Sequence, residues 1–170
     1  MMNDSDVRWL SEDESTTWRS FLHLNAILGA RLDHDLVSGH GLTLAEYEVL
    51  VHLSEASDFT LRMSNLAELC YVSRSGLTRR LDSLIRTGMV VKRTCPSDRR
   101  GMNAVLTAKG LDKIRSAAPT HVSGVRDYFF DLLSSDEVEK LGELVSKPLA
   151  KLLVDQLPED CGQGTCCKGD

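Results

Sequence analysis

The sequence predicts a mainly α-helical chain with a small β-hairpin, on three observations. Apolar residues recur at helical spacing through most of the 170 residues, and two short β-prone segments flank a turn-rich stretch around Pro96. The basic residues also crowd into one part of an otherwise acidic chain. Helical spacing means one buried face per helix, and the β-prone pair joined by turn formers means a hairpin.

The run from Ser11 to Val37 carries Trp18, Phe21, Leu22, Asn25, Leu28, Leu32 and Leu36 on one helical stripe, which predicts a long amphipathic first helix. Gly39 and Gly41 break it. Thr43, with Glu46 three residues on, is an N-cap for a second helix through Tyr47, Leu50, Val51 and Leu53, expected to end near Ser57. Met63, Leu66, Ala67 and Cys70 then mark a short third helix from Arg62 to Cys70. Ser73 caps a fourth, with Leu77, Leu81, Leu84 and Ile85 facing inward and Arg74, Ser75, Thr78, Arg79, Asp82 and Arg86 facing out. Gly88 stops it in a position that favours left-handed backbone.

Met89 to Thr94 and Met102 to Leu106 follow as strands, with the loop Cys95 to Gly101 as a basic tip. A further helix starts after Thr107, and Pro119 predicts a kink or a break in it. Ser134 or Ser135 caps the last helix, whose stripe runs from Leu141 to Leu153 with a bend expected at Pro148. Residues 158–170 lack periodicity and read as a disordered, Cys-containing tail. These elements divide into a helical region at 11–38 and 107–156, expected to dimerise, and a compact domain at 42–106.

Hydrophobic residues make up 42% and aromatics 5%, so aliphatic side chains must build the core. No stretch approaches the roughly 18 apolar residues of a membrane span, so no membrane partner is expected. The acidic first residues do not look like a leader, and five cysteines do not make a disulfide framework, so a cytoplasmic protein with reduced thiols is expected. There is no Gly-rich phosphate loop, no nucleophile with an identifiable base and no pair of catalytic carboxylates, so neither an enzyme nor a cofactor is implied.

The net charge of −5 argues against nucleic acid only on average. Between Tyr71 and Arg100, eight basic residues stand against Asp82 and Asp98, a surplus of six, which leaves −11 for the remainder. A short helix, a tight turn, a second helix with a polar outer face and a basic hairpin are the parts of a winged helix-turn-helix, in their usual order. An α-helix fits the major groove, where Arg reads guanine edges and Ser or Thr can contact bases or phosphates. Ser73, Arg74, Ser75, Thr78 and Arg79 are placed for that, whereas Arg80, about 100° further round, stands at the flank, facing phosphate or an acidic neighbour. Lys92 and Arg93 on the first strand extend the basic surface, and Arg99 and Arg100 can enter a minor groove, where negative potential attracts arginine. Asp98 suits an internal partner that holds an arginine and the loop in shape.

Asp98-Arg-Arg-Gly-Met-Asn-Ala-Val-Leu-Thr-Ala-Lys-Gly110 resembles the wing signature of the MarR family, an Asp-x-Arg followed by a strand ending in Leu-Thr-x-x-Gly. Met63-Ser-Asn-Leu-Ala-Glu-Leu and Ser73-Arg-Ser-Gly-Leu-Thr-Arg-Arg-Leu resemble its two motif helices, and Gly41-Leu-Thr-Leu-Ala-Glu-Tyr precedes them in the same order. The similarity covers roughly Thr17 to Leu153. It implies a winged helix-turn-helix domain with a helical dimerisation domain, and a homodimer bound to palindromic double-stranded DNA. It also implies a transcriptional regulator, commonly a repressor, released by a small anionic or phenolic effector.

Trp18, Arg19 and His23 are candidates to line an effector cleft, since an aromatic beside a cation suits an aromatic acid; packing is the plainer reading of Trp18. The histidines lack zinc-site spacing, and only His34 and His40, straddling a helix end, leave a metal reading open. Two alternatives stand beside the main reading. One is a redox- or metal-responsive regulator using Cys95 or the tail cysteines Cys161, Cys166 and Cys167. The other is a winged-helix module whose basic face docks on an acidic protein.

Overall fold

The computed structural model describes residues 7–155 except 96 and 97; the side chains of residues 95, 98–100, 154 and 155 are also outside the described set, as is the expected tail with Cys161, Cys166 and Cys167. By backbone contact the chain divides into two units, one ending at Tyr128 and one beginning at Phe129.

In the first unit, α1 spans Glu12–His40. Ser11 opens it with a reciprocal cap: Glu14 N donates to Ser11 Oγ at 3.1 Å and Ser11 N to Glu14 Oε2 at 2.8 Å. Glu12, Asp13 and Glu14 place negative charge against the positive end of the helix. Gly41, at φ +60°, ends the helix where a side chain would strain the backbone. Thr43 and Glu46 form the same cap on α2 (Leu44–Glu55), and Asp33 Oδ1 on α1 accepts a further bond from Leu44 N at 2.8 Å. The end of α1 is thereby tied to the start of α2.

A 3-10 turn, Ser57–Phe59, leads to β1 (Thr60–Arg62), and then come α3 (Met63–Leu69), α4 (Arg74–Arg86), β2 (Val90–Cys95), β3 (Asp98–Leu106) and α5 (Ala108–Tyr128). The strands form one antiparallel sheet in the order β1-β3-β2. The core lies between α2, α4, the sheet and the first half of α5, where Leu50, Leu53, Leu66, Leu77, Leu81, Leu84, Val90 and Ala104 are fully enclosed. Burial of leucines at this density stabilises the unit by about 1.5–3 kcal/mol per side chain.

Three expectations need correction. The sheet has a third strand: β1 is too short for a period-2 signal and exists because Thr60, Leu61 and Arg62 pair with Val105, Ala104 and Asn103. The expected loop from Cys95 to Gly101 is mostly strand, because β2 runs on to Cys95 and β3 begins at Asp98. Pro119 does not break α5, which runs unbroken from Ala108 to Tyr128. A proline removes one backbone bond, and α5 is held on both sides of it. Ile114 and Ala117 are buried before it, and after it Gly124 lies so close to α1 that a Cβ there would stand 2.9 Å from Leu32 Cδ2.

In the second unit a 3-10 turn, Phe130–Leu132, precedes α6 (Ser135–Asp155), which continues through Pro148. Ser134 caps it, donating from N and Oγ to Glu137 Oε2 at 2.8 Å each and accepting from Glu137 N at 3.4 Å. Those bonds to the charged form lower the Glu137 pKa.

Candidate nucleic-acid interface

The turn between α3 and α4 is set by Tyr71, whose φ of +51° reverses the chain. Tyr71 N donates to Glu68 O and Val72 N to Ala67 O, both at 3.0 Å, so the left-handed residue is held by the end of α3. Ser73 Oγ then accepts from Gly76 N at 3.1 Å and lies 3.1 Å from Ser75 Oγ. This hydroxyl caps the start of α4. The first turn of α4 has no acidic residue and directs its free N–H groups and partial positive charge outward.

The two faces of α4 differ sharply. Leu77, Leu81 and Leu84 are enclosed, which fixes the helix rotation, while Arg74, Ser75, Thr78, Arg79, Asp82 and Arg86 are exposed. Thr78 Oγ1 donates to Arg74 O at 3.0 Å. Arg80 behaves differently from Arg79. Its Nη1 donates to Glu48 Oε2 on α2 at 2.8 Å, so the acidic-neighbour option is the one realised here. Arg80 also hydrogen-bonds the Cys70 thiol, which is buried and, mainly through desolvation, has its pKa pushed up to about 11.

At its other end α4 is gripped by α5. Lys109 Nζ donates to Thr87 O at 2.8 Å, and Thr107 Oγ1 donates to Gly88 O at 2.8 Å and Met89 O at 3.1 Å. Gly88 takes φ +73°, as its place after the helix requires. Lys113 Nζ similarly donates to His40 O at the end of α1. Two lysines thus meet the negative ends of two helices.

Lys92 and Arg93 stand exposed on β2. The pairing of β2 with β3 jumps from Thr94↔Met102 to Cys95↔Asp98, so residues 99–101 have no partners on β2 and form a bulge. Arg99 and Arg100 therefore sit on strand backbone at a bulge; their side chains, with those of Asp98 and Cys95, lie outside the described residues.

Trp18, Arg19 and His23 lie exposed on the N-terminal half of α1, where Trp18 stacks on Phe21 with ring centroids 5.9 Å apart. They do not line the cavity of about 440 Å³ between α1, α2 and α5, whose apolar wall includes Leu32, Leu44, Val51 and Val125 and whose polar lining is Tyr47, Glu48, His52 and His121. The Tyr47 and His121 rings pack 4.6 Å apart, burial lowers the His121 pKa, and its Nδ1 is enclosed without a hydrogen-bond partner. His34 is exposed, whereas His40 Nε2 bonds Thr120 Oγ1 at 2.8 Å. Glu48, Lys109 and Lys113 escaped the sequence reading; only the Lys109 position inside the Leu-Thr-x-x-Gly segment carried a signal.

Comparison with known proteins places these features in context. A family model described as MarR family matches residues 40–101. YetL, an HTH-type transcriptional repressor of Bacillus subtilis, is 29% identical over 113 residues, which are 65% of this chain and 68% of YetL. The crystal structure of AbsC, a MarR family transcriptional regulator from Streptomyces coelicolor, is 40% identical with a TM-score of 0.81, over 88% of this chain and 100% of that one. Sco3205, another such regulator from S. coelicolor, solved in complex with DNA, is 34% identical with a TM-score of 0.82, over 93% of this chain and 97% of that one. The family model, the shared fold and the 40% identity over the whole of AbsC agree, and the chain belongs to the MarR family of transcriptional regulators.

Proposed function

We propose that the protein is a homodimeric repressor that binds a palindromic operator sequence-specifically and leaves it when a small molecule occupies the cavity between α1, α2 and α5. The observation that carries this is the outer face of α4: Arg74, Ser75, Thr78 and Arg79 are exposed on a helix whose rotation is fixed by three enclosed leucines. Arg79 is assigned to base edges, and Ser73, Arg74, Ser75 and Thr78 to the backbone and flanking bases. Lys92, Arg93, Arg99 and Arg100 of the wing are assigned to phosphates and the minor groove, with Asp98 keeping the hairpin in shape. Sco3205, solved in complex with DNA, supports DNA as the partner, and the repressor names of YetL and of MprA from Escherichia coli support the sign of regulation.

Dimerisation through 11–38 and 107–156 is supported by apolar surface that the single chain leaves open. Trp18, Phe21 and Leu22 on α1 are 52%, 51% and 46% exposed, and Leu144, Leu149 and Leu152 on α6 are exposed as well. Twofold symmetry would present two copies of α4 to two half-sites one helical turn apart. The test is selection of DNA fragments by purified protein, followed by titration of the best site against scrambled DNA at several salt concentrations. An inverted repeat bound by one dimer, with clear preference over scrambled DNA, is expected. Equal affinity for both at every salt concentration would refute it and turn attention to an acidic protein as the partner of the basic face.

A further inference from the structure

Glu48 belongs to two places at once. It is one of the residues lining the cavity between α1, α2 and α5, and its carboxylate holds Arg80 of α4 at 2.8 Å. Among the described residues lining that cavity it is the only Asp, Glu, Lys or Arg. The two histidines of the wall do not offset it equally, since burial holds His121 toward its neutral form. His121 lines the same wall, and its enclosed Nδ1 has no hydrogen-bond partner among the described residues. The rest of the wall is aliphatic or aromatic, and a volume of about 440 Å³ suits a small ring-bearing molecule.

We propose that this cavity takes an apolar, ring-bearing molecule with a protonated amine, and that its ammonium group competes with Arg80 for Glu48, so that occupancy loosens α4 from α2 and weakens DNA binding. A carboxylate or phenolate ligand would instead meet Glu48 as a like charge, a repulsion that solvent around its partly exposed side chain weakens without reversing. A neutral ligand would gain only apolar burial. With an ammonium beside Glu48, Arg80 keeps its own charge and loses most of its attraction to α2, and the added cation repels it. Arg79 is its neighbour in sequence, so a small rotation or slackening of α4 moves the proposed base-reading side chain directly. Coupling of this kind is reciprocal: DNA must weaken the amine by the factor with which the amine weakens DNA. The ligand half stands on the cavity alone; the release half rests on the DNA-binding reading above.

The experiment uses the full chain and three fragments of similar shape: 2-phenylethylamine, 2-phenylethanol and 3-phenylpropionate, titrated calorimetrically at matched ionic strength. The amine is expected to bind best and the propionate worst. Glu48→Gln should weaken the amine roughly tenfold, the loss of a charge-assisted contact, and leave the alcohol unchanged. Val51→Phe, which fills the cavity without touching its charge, should abolish binding of both; it also serves if the Glu48 variant proves unfolded. Fluorescence anisotropy with labelled DNA should then show the amine lowering wild-type DNA affinity and leaving that of Glu48→Gln unmoved. Tightest binding of the propionate, an amine indifferent to both substitutions, or binding of no fragment overturns the ligand class. Glu48-dependent amine binding with unaltered DNA affinity overturns the coupling. Failure to bind DNA in the absence of any fragment refutes the proposed function, and the calorimetry still decides the ligand half.

Discussion

Replacing Gly110 by alanine tests the close approach of α5 to the segment that links α4 to β2. A Cβ at position 110 would stand 2.3 Å from Met89 O and 2.6 Å from Leu106 Cδ1. Ordinary contact begins near about 3.5 Å, so α5 and the start of β2 must separate by roughly 1 Å. Met89 O cannot yield freely, because it accepts from Thr107 N at 3.0 Å and from Thr107 Oγ1 at 3.1 Å. The steric strain is worth about 1–3 kcal/mol, and disturbing one or two of those bonds adds about 1 kcal/mol each. Alanine returns about 1 kcal/mol in helix propensity. The net is a destabilisation of about 1–4 kcal/mol, with about 2 kcal/mol expected. Urea denaturation at fixed protein concentration measures it, with the denaturant slope unchanged. Gly142→Ala on α6, whose added Cβ would have no described atom within 4 Å apart from its own helix backbone and chain neighbours, is the matched control and should be neutral or slightly stabilising. A Gly110→Ala variant as stable as the wild type would refute the close-approach account of this glycine.

Three other outcomes follow from the same structure. Arg79→Ala should weaken the best DNA site by about 1–3 kcal/mol and blur base preference at one position per half-site, whereas Arg100→Ala should weaken all sequences alike; equal, sequence-blind losses from both in anisotropy titrations would remove Arg79 from base reading. His121 has a folded-state pKa below its ordinary 6.5, so above that value neither state carries the proton, and below it the unfolded chain binds a proton that the folded chain resists. Stability should therefore fall between pH 7.5 and about 5.5, less steeply in His121→Gln; parallel urea midpoints for the two proteins would contradict this. Cys70, buried with its pKa pushed up to about 11, should resist iodoacetamide near pH 8 and react once urea unfolds the chain, as read by peptide mass spectrometry; prompt labelling of the folded protein at Cys70 would contradict its burial.

The parts of this fold that sequence made legible are those written in neighbouring residues. Thr43 with Glu46, Ser73 before its helix and Gly88 after it act within one turn, and the structure uses each as its local chemistry dictates. The α4 face was legible for the same reason, since inward and outward positions follow from a fixed 100° step. What escaped depends on partners far along the chain. β1 has only three residues and is specified by β3, more than 40 positions away, as the pairing Thr60↔Val105 records. Pro119 reads as a breaker in any local window, yet the helix around it is held by α1. The Glu48–Arg80 pair spans 32 positions, and no spacing rule distinguishes Glu48 from the other acidic residues of α2.

That pair changes how the basic segment should be counted. Sequence places a surplus of six positive charges between Tyr71 and Arg100 and treats them as one surface. In the structure Arg80 is engaged by Glu48, and the lysines just downstream, Lys109 and Lys113, are engaged by carbonyls at the ends of α4 and α1. An arginine already neutralised by a carboxylate displaces few counterions from a phosphate, so it adds little to the salt dependence of DNA binding. Its contribution is orientation: it fixes α4 against α2 and leaves Arg74 and Arg79 as the exposed cations at the helix start and centre. Under the proposed function, a pair of adjacent arginines is thus divided between holding the reading helix and reading. Under the same proposal, α4 can be disturbed through Glu48 without any competitor touching its outer, exposed face.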